Sequence, residues 1–247
     1  MASEDDIARI RKKMEVYQPA ESVRTLLTQT PIVLLVGISG AGKDTLKHLL
    51  LERYPEKYHH IVSHTTRAPR ENHGVMEQDN IDYHFIDFVT AEKLLDNSDY
   101  VEAKMYSGNI YGTSVAEIQK AHDEGRIAIT DLEVQGVQEY VELTPSVKPI
   151  FILPPNFATW QQRLKQRYED GWERHQDDIA KRLQTARQEL EFVKQAGYFY
   201  LVVNDDLERA LRQVDSIARS PETTPRNDLR TLTVLDELLT ELQKVAV

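Results

Sequence analysis

A glycine-rich turn directly behind an apolar run constrains the fold of this chain more than any other stretch. The run Ile32 to Val36 is β-branched or aliphatic, and it is followed at once by Gly37-Ile38-Ser39-Gly40-Ala41-Gly42-Lys43-Asp44-Thr45. Apolar residues then recur at helical spacing to Leu50, so the pattern predicts a strand, a loop and a helix. Glycines let backbone N–H groups point inward, the helix N-terminus adds the positive end of its dipole, and a lysine adds a point charge. The stretch therefore predicts a phosphate-binding loop, with ATP or GTP and Mg²⁺ as the expected ligands.

One position of the loop departs from the usual pattern. The hydroxyl residue that normally follows the lysine and holds the metal is replaced by Asp44, and the hydroxyl is displaced to Thr45. Two alternatives follow for Asp44: its carboxylate helps to hold Mg²⁺, or it turns away and pairs with a base such as Lys47. The predicted ATP-binding residues of the loop are Gly37, Ser39, Gly40, Ala41, Gly42, Lys43, Asp44 and Thr45.

Composition narrows the function classes. A chain of 247 residues has room for one α/β domain with inserted subdomains, or for two small domains. The formal net charge of -10 argues against a nucleic-acid-binding surface as the main function. The sequence contains no cysteine, which excludes disulfides and cysteine metal sites and suits a reducing compartment. No apolar run approaches the roughly 20 residues of a membrane helix. We therefore expect a cytoplasmic protein without a nucleic-acid or membrane partner.

The order of predicted elements indicates a nucleotide fold with an insertion. Residues 1–30 contain two amphipathic helical patterns, and residues 58–63 read as a second strand. Between residues 64 and 114 the pattern changes to short strands and turns. From residue 115 helices and strands alternate again, with a helix at 134–143, which implies βαβ crossovers and a parallel sheet.

A leucine stripe follows a proline-containing linker near the end of the sequence. It consists of Leu229, Leu232, Leu235, Leu239 and Leu242. Such a stripe predicts an amphipathic helix that is covered either by this chain or by a second copy in a homodimer.

A second cluster of phosphate-binding residue types lies between Ser63 and Arg70. The stretch reads Ser63-His64-Thr65-Thr66-Arg67-Ala68-Pro69-Arg70 and follows a predicted strand end. Arginine forks match phosphate oxygens bidentately, so the cluster suits a second phosphate that accepts the transferred phosphoryl group. The alternative is a solvated charged loop.

Further motifs complete a pattern that resembles the guanylate kinase family over about residues 31–219. After the cluster come Asp82-Tyr83-His84-Phe85, then Glu102, then Gly108-Asn109-Ile110-Tyr111-Gly112-Thr113. The resemblance implies that Glu102 and Thr113 read the guanine base. Guanine presents N1–H and an amino group side by side, which one carboxylate can accept, and a hydroxyl can donate to O6. The alternative for Glu102 is a surface carboxylate on an edge strand. The residues that the resemblance implies for the acceptor phosphate are Ser63, Arg67, Arg70, Tyr83 and Tyr111.

Downstream motifs add candidates for the metal, the base and the donor nucleotide. The apolar strand before Asp131 ends in a carboxylate, as in sites that orient Mg²⁺ through water. Glu133 matches a position that contacts the base in the resembled family. Asn204 matches a position beside the donor adenine, with a helix-capping role for Asn204-Asp205-Asp206 as the alternative. The resemblance further implies a mobile lid with phosphate-binding arginines, although charged helices are usually solvated faces. The predicted lid arginines, grouped with Lys43 as catalytic, are Arg163, Arg167 and Arg182.

The sequence thus predicts an α/β protein with a parallel-sheet P-loop kinase core, an inserted mixed α/β nucleoside-monophosphate-binding subdomain and a helical lid. The implied reaction is ATP + GMP to ADP + GDP, with Mg²⁺ as the cofactor. The alternatives are a ribose-bisphosphate phosphokinase and a catalytically silent module that binds phosphopeptides. The predicted divisions are a helical extension (1–30), the kinase-like domain (31–220, with core 31–63 and 115–220, insertion 64–114 and lid about 163–185), and a linker with a final helix (221–247).

Overall fold

Several helices begin at a residue whose side chain caps the first turn. The structure is a computed structural model that describes residues 4–72, 74–166, 168, 172–220 and 226–245. Its α-helices are α1 (Glu4–Glu15), α2 (Glu21–Gln29), α3 (Lys43–Arg53), α4 (Phe88–Asp96), α5 (Val115–Asp123), α6 (Val134–Leu143), α7 (Phe157–Lys165), α8 (Gln176–Ala196), α9 (Leu207–Arg219) and α10 (Leu229–Lys244). The side chains that accept a hydrogen bond from a first-turn N–H are Asp87, Ser114, Asn156, Asp206 and Asp228. Each satisfies a backbone donor that has no partner within its helix.

The strands belong to one large sheet, one smaller sheet and a hairpin. Their bounds are β1 (Ile32–Val36), β2 (Tyr58–His60), β3 (His64–Thr65), β4 (Glu71–Asn72), β5 (Val75–Met76), β6 (His84–Phe85), β7 (Tyr100–Tyr106), β8 (Asn109–Ser114), β9 (Ile127–Asp131), β10 (Val147–Leu153) and β11 (Tyr200–Val203). A short 3-10 helix spans Trp172–His175. In the described residues, the sheet orders are β11-β10-β1-β9-β2, β6-β3-β8-β7 and β4-β5.

The chain folds into two units. Unit 1 consists of Met1–Pro31, His59–Ala128 and Leu143–Ser146, and unit 2 consists of Ile32–Tyr58, Ile129–Glu142 and Val147–Val247. The N-terminal helices therefore belong to the first unit, and α10 belongs to the second.

The sheet of unit 2 confirms the predicted parallel core. Strand β1 pairs in parallel with β10, and β10 pairs in parallel with β11. All side chains of β1 are buried, as expected for a strand covered on both faces. Open α/β sheets bind ligands at the carboxyl ends of their strands, and there β1 carries the glycine-rich loop and β9 ends in Asp131.

Unit 1 is built on a mixed sheet that helices cover. Strand β3 pairs in parallel with β6 and antiparallel with β8, which pairs antiparallel with β7. Its core joins Ile10 of α1 and Leu95 of α4 to Tyr100 and Ile110 of the sheet. Helix α4 thus lies inside the block whose pattern indicated short strands and turns.

Strand β2 is shorter than predicted. The sequence predicts a strand from 58 to 63, but β2 ends at His60. The backbone N–H of Val62 donates to the carboxylate of Glu117 at 3.1 Å. Because that N–H serves a side chain, it does not continue the ladder.

Helix α10 packs against the same chain. It contacts α8 and β11, and the N–H of Leu201 donates to the Asn227 side-chain oxygen at 3.1 Å just before the helix. The buried face is shifted from the predicted stripe, because Leu229 is 83% exposed and Leu232 43% exposed. The apolar side chains buried on α10 are Val234, Leu235, Leu238, Leu239 and Leu242. A homodimer through the terminal helices stays a prediction. Among the described residues, no helix has the length and apolar character to span a membrane.

Candidate active site

The glycine-rich loop of unit 2 adopts a backbone that only glycine tolerates at its centre. Gly40 has φ +85° and Gly42 has φ +93°, both in the left-handed region. A Cβ at Gly42 would also collide with the side-chain amide of Asn204. The loop closes on itself, since the N–H of Ala41 donates to the Ile38 carbonyl at 2.9 Å. The backbone at both positions therefore favours glycine, the residue that the sequence has there.

Neighbouring elements hold the carbonyl groups of the loop. The indole N–H of Trp160 on α7 donates to Ser39 O at 2.7 Å, and the Asn204 amide donates to Ala41 O at 2.9 Å. Arg163 donates to Ala41 O at 3.4 Å and to Asn204 O at 3.0 Å. Carbonyl oxygens repel a polyphosphate, so donors that occupy them leave the loop better suited to an anion.

The lysine of the loop lies between two carboxylates. Lys43 Nζ is 3.0 Å from Asp44 Oδ1 and 4.0 Å from Asp131 Oδ2. Lys47 pairs with the other oxygen of Asp131. In the structure the base that pairs with Asp44 is Lys43, and both alternatives for Asp44 stay predictions. Asp44 stays at the surface, with 60% of its side chain exposed.

Lys43 and Asp44 belong to the lining of a cleft of about 410 Å³ in unit 2. The cleft brings together a subset of the predicted ATP and lid residues. Its lining consists of Gly40, Gly42, Lys43, Asp44, Thr45, Arg163, Asn204, Asp205 and Leu207. Asn204 is buried, and the capping role considered for its group belongs to Asp206, which begins α9.

The other predicted lid arginines lie outside this lining or outside the described residues. Arg182 on α8 donates to Ser39 Oγ at 3.0 Å and to Asp178 at 2.9 Å. Tyr168 also donates to Asp178, at 2.5 Å. Arg167 lies outside the described residues. The long loop before α8 places Trp172 against the ring of Tyr168, with ring centres 5.7 Å apart.

In unit 1 a buried ion pair organises the second predicted phosphate site. Arg67 donates to Glu77 through both terminal nitrogens, at 2.7 and 3.0 Å, and through Nε to Tyr111 Oη at 3.2 Å. The side chains are 10% and 8% exposed. The guanidinium of Arg67 holds the pKa of Glu77 below its usual range, against the opposing effect of burial. The carboxylate also accepts the Arg70 backbone N–H at 2.8 Å.

Aromatic rings complete this cluster. The Arg67 guanidinium lies over the ring of Tyr83, 5.3 Å from its centre, and the rings of Tyr83 and Tyr111 meet edge to face at 6.0 Å. Arg70 is exposed, and Ser63 accepts the His84 backbone N–H through its carbonyl at 2.9 Å. The structure thus brings Arg67, Tyr83 and Tyr111 together around one guanidinium.

Glu102 and Thr113, on the neighbouring strands β7 and β8, form a preorganised pair. The hydroxyl of Thr113 donates to Glu102 Oε1 at 2.9 Å, and its backbone N–H donates to the same oxygen at 3.1 Å. Thr113 is completely buried. A hydroxyl has a single proton, so in this arrangement Thr113 orients the carboxylate.

The sequence analysis missed several residues that shape these sites. Glu77 follows the β4–β5 hairpin in a polar stretch without periodicity, so no local signal marked it. Trp160 reads as an ordinary core residue of α7. Glu189 on α8 was also missed, where burial and the nearby carboxylate of Glu133 raise its pKa to about 7, partly offset by Lys43. Glu133 itself belongs to unit 2.

The carboxylates beside Lys43 have the chemistry of a magnesium site. No group of three or more His, Cys, Asp or Glu residues within the described ranges forms a ready-made metal site. Mg²⁺ in nucleotide sites keeps several waters and takes one or two carboxylates plus substrate phosphates. Asp44 and Asp131 flank the same ammonium group and supply that oxygen donor set. The residues therefore fit a Mg²⁺ ion that arrives with a nucleotide.

Comparison with known proteins gives a consistent result. The family model described as guanylate kinase matches residues 28–220. The guanylate kinase of Schizosaccharomyces pombe is 38% identical over 189 residues, which cover 76% of this chain and 90% of that protein. The guanylate kinase of Sus scrofa is 35% identical over 179 residues, which cover 72% of this chain and 86% of that protein.

A solved structure shares the fold. The crystal structure of guanylate kinase from Anaplasma phagocytophilum superimposes with a TM-score of 0.57 and 24% sequence identity, covering 89% of this chain and 98% of that chain. The glycine-rich loop, the Arg67 cluster and the Glu102–Thr113 pair all lie within the residues that the family model matches. The chain belongs to the guanylate kinase family.

Proposed function

We propose that the protein transfers the γ-phosphoryl group of ATP to GMP and releases ADP and GDP. A phosphate oxygen of GMP would form the new P–O bond, and the bond between the γ-phosphorus and the β,γ-bridging oxygen would break. The observation that carries the proposal is the Glu102–Thr113 pair, a half-buried carboxylate acceptor in a chain of this family.

Base recognition rests on the acceptor geometry of Glu102. Two hydrogen bonds from Thr113 hold one carboxylate oxygen, which restricts the side chain before any ligand arrives. Guanine would then donate N1–H and its amino group to the carboxylate. Adenine presents an acceptor at N1, so it would not offer the carboxylate this pair of donors. Glu133 lies in unit 2 near Glu189, and the contact to the base that the sequence predicts for it stays a prediction.

The acceptor phosphate would bind at the Arg67 cluster. Most N–H groups of Arg67 already donate to Glu77, Tyr111 and the Ala68 carbonyl. Arg67 would therefore contribute mainly its charge, in a fixed orientation. The exposed guanidinium of Arg70 is the flexible fork for direct, bidentate contact. The hydroxyls of Tyr83 and Tyr111, with Ser63, would supply the remaining donors.

The donor triphosphate would bind in the unit 2 cleft. Phosphoryl transfer needs little covalent work from the protein, so positioning and charge neutralisation carry the catalysis. Lys43 and the loop amides would neutralise the β- and γ-phosphates. Arg182, held at Ser39, and Arg163, held at two carbonyls, already lie at the loop. We assign Asn204 to the edge of the adenine site.

Asp44 and Asp131 would hold Mg²⁺, which would supply positive charge to the phosphates. Lys43 would exchange its contact with Asp44 for contact with phosphate oxygens when ATP binds.

An ADP-release assay across GMP, dGMP, AMP, UMP, CMP and ribose 1,5-bisphosphate tests the proposal. We expect kcat/KM for GMP to exceed that for AMP by about 10⁴–10⁵, as in sites that recognise substrates by buried polar groups. Equal turnover of AMP and GMP, or turnover of ribose 1,5-bisphosphate in place of GMP, would overturn it.

The Glu102→Gln variant tests the residue that carries base selection. The amide would present a donor to the donors of guanine, so kcat/KM for GMP should fall by about 10²–10³ while ATP affinity is retained. Glu71→Gln, which removes an exposed carboxylate of the same unit, is the control and should behave as the unmodified protein. If both variants keep full activity, Glu102 does not read the base.

A further inference from the structure

Tyr17 contacts the strand that carries Glu102, although it lies outside the residues matched by the family model. It follows α1, and the match begins at residue 28. Its hydroxyl donates to Tyr100 O at 2.5 Å and accepts the Tyr100 backbone N–H at 3.1 Å. One phenol therefore serves both backbone groups of a single residue.

These backbone groups need a partner because of where β7 lies. In the described part of the chain β7 is one of the two edge strands of its sheet, and an edge strand has a row of backbone donors and acceptors that no neighbouring strand serves. Burial raises the pKa of the Tyr17 phenol above its usual range, so the hydroxyl stays protonated and can donate. The Tyr17 hydroxyl thus supplies to Tyr100 the donor and the acceptor that a neighbouring strand would otherwise supply.

The contact lies at a register shift of β7 that directly precedes Glu102. Tyr100 pairs with Ser114 and Glu102 pairs with Thr113, with a register shift between the two pairs. Tyr100 is 0% exposed and its neighbour Val101 is 1% exposed, so the usual alternation of faces is broken here. A β-bulge redirects the side chains that follow it. Glu102 is the residue directly after the bulge.

The surrounding packing connects α1 to the same point. Ile10 of α1 shares a core with Tyr100 and Ile110, and Arg9 forms a bidentate ion pair with Glu92 of α4 at 2.9 and 2.8 Å. The Tyr100 ring lies against Gly112, where an added Cβ would approach the ring to 2.8 Å. Gly112 directly precedes Thr113, the partner of Glu102.

We infer that Tyr17 is a positioning residue for guanine recognition, which holds the β7 bulge so that Glu102 and Thr113 keep their paired orientation. The inference rests on the proposed function, because it assigns Tyr17 to the base-reading carboxylate. It also gives the N-terminal extension a part in substrate selection.

The Tyr17→Phe variant tests the inference, because it removes only the hydroxyl. We expect KM for GMP to rise roughly five- to twentyfold, the effect of one to two net hydrogen bonds, with KM for ATP unchanged. The more specific readout is the ratio of kcat/KM for GMP to that for IMP, which lacks the 2-amino group. A misdirected Glu102 gains less from that group, so the ratio should fall several-fold.

Ile10→Val is the matched control. It removes one methylene from the core that α1 and Tyr100 share, but it leaves the hydroxyl at the bulge. Its melting temperature should fall, and its GMP to IMP ratio should stay that of the unmodified protein. If Tyr17→Phe lowers the melting temperature without changing the ratio, Tyr17 is only structural and the inference is overturned.

Amide hydrogen exchange gives a measurement that does not depend on catalysis. The Tyr100 N–H should exchange faster in Tyr17→Phe than in the unmodified protein at temperatures well below melting, and unchanged exchange contradicts the contact. The two failures are distinguishable. If the unmodified protein does not prefer GMP, the proposed function fails. If the unmodified protein prefers GMP and Tyr17→Phe keeps the same GMP to IMP ratio, only the inference about Tyr17 fails.

Discussion

The two proposed phosphate sites organise their charges differently. In unit 1, Arg67 and Glu77 form a bidentate pair with side chains that are 10% and 8% exposed. In unit 2, Lys43 and Asp44 form a single contact with side chains that are 24% and 60% exposed. Both pairs join a cation and a carboxylate beside a predicted phosphate, but only the first is withdrawn from water.

The difference indicates separate tasks for the two pairs. A buried ion pair is costly to break, because the remaining charge has no solvent to compensate it. An exposed pair contributes little to stability and is easily exchanged for another partner. Arg67–Glu77 is therefore suited to a rigid frame for the proposed acceptor phosphate, whereas Lys43–Asp44 is a contact that the proposed triphosphate and metal would replace.

The largest expected effect is that of breaking the buried pair with Glu77→Gln. The substitution leaves the Arg67 charge uncompensated, so we expect the free energy of unfolding to fall by about 3 kcal/mol. KM for GMP should rise about 10- to 100-fold, because the guanidinium loses its fixed orientation. Urea unfolding and steady-state kinetics measure the two effects.

Glu71→Gln is the control for this variant, since Glu71 is an exposed carboxylate of the preceding hairpin. Its stability should change by less than about 0.5 kcal/mol. A Glu77→Gln protein as stable as this control would show that the pair does not frame the site.

The second expected effect is an acid dependence of stability that comes from the buried pair. The pKa of Glu77 in the folded chain lies below its ordinary value of 4.5, chiefly through the Arg67 hydrogen bonds. Its stabilisation is therefore complete above that value and is lost as the pH falls through the folded pKa. Melting temperatures of the unmodified protein should fall below pH 4.5, and those of Glu77→Gln should fall less steeply. Parallel curves for the two proteins would contradict this source of stability.

The smallest expected effect on stability is that of Asp44→Ser. Because the pair is exposed, the free energy of unfolding should change by no more than about 1 kcal/mol. Ligand binding should respond more: two unit charges about 4 Å apart repel by about 4 kcal/mol at an effective dielectric near 20, so Asp44 should weaken binding of metal-free ATP. Titration with and without Mg²⁺ should show a metal dependence that is about tenfold smaller in the variant.

Glu52→Ser, which removes an exposed carboxylate further along α3, is the control for this titration. It should keep the metal dependence of the unmodified protein. If Asp44→Ser also keeps it, Asp44 does not take part in holding the metal.

Local sequence patterns correctly predicted several helices, strands and loops that carry the two proposed sites. Strand β1, the glycine-rich loop and α6 have the bounds that apolar periodicity and glycine spacing predict. Glu102 and Thr113, which the sequence motif assigns to one site, lie next to each other on β7 and β8. These features depend on neighbours along the chain, so the sequence carries them in readable form.

Contacts between distant segments were not predictable in the same way. Glu77 is bound to Arg67 across an intervening hairpin, and Tyr17 reaches Tyr100 across 83 residues. Neither residue has a periodic or motif context, and a glutamate in a polar loop looks the same whether it is solvated or buried. The shifted face of α10 has the same origin, because packing on α8 and β11 selects the buried leucines.

The sequence by itself determined the parallel-sheet core, the phosphate-binding loop and the family, because strand and helix periods, glycine positions and motif order are properties of short segments. Only the tertiary structure decided the ion partners of Asp44 and Asp131, the burial of the Arg67–Glu77 pair and the contact of Tyr17 with strand β7. Burial and partner choice depend on which segments meet in space, and they set the local dielectric and hydrogen bonding that give each charge its role.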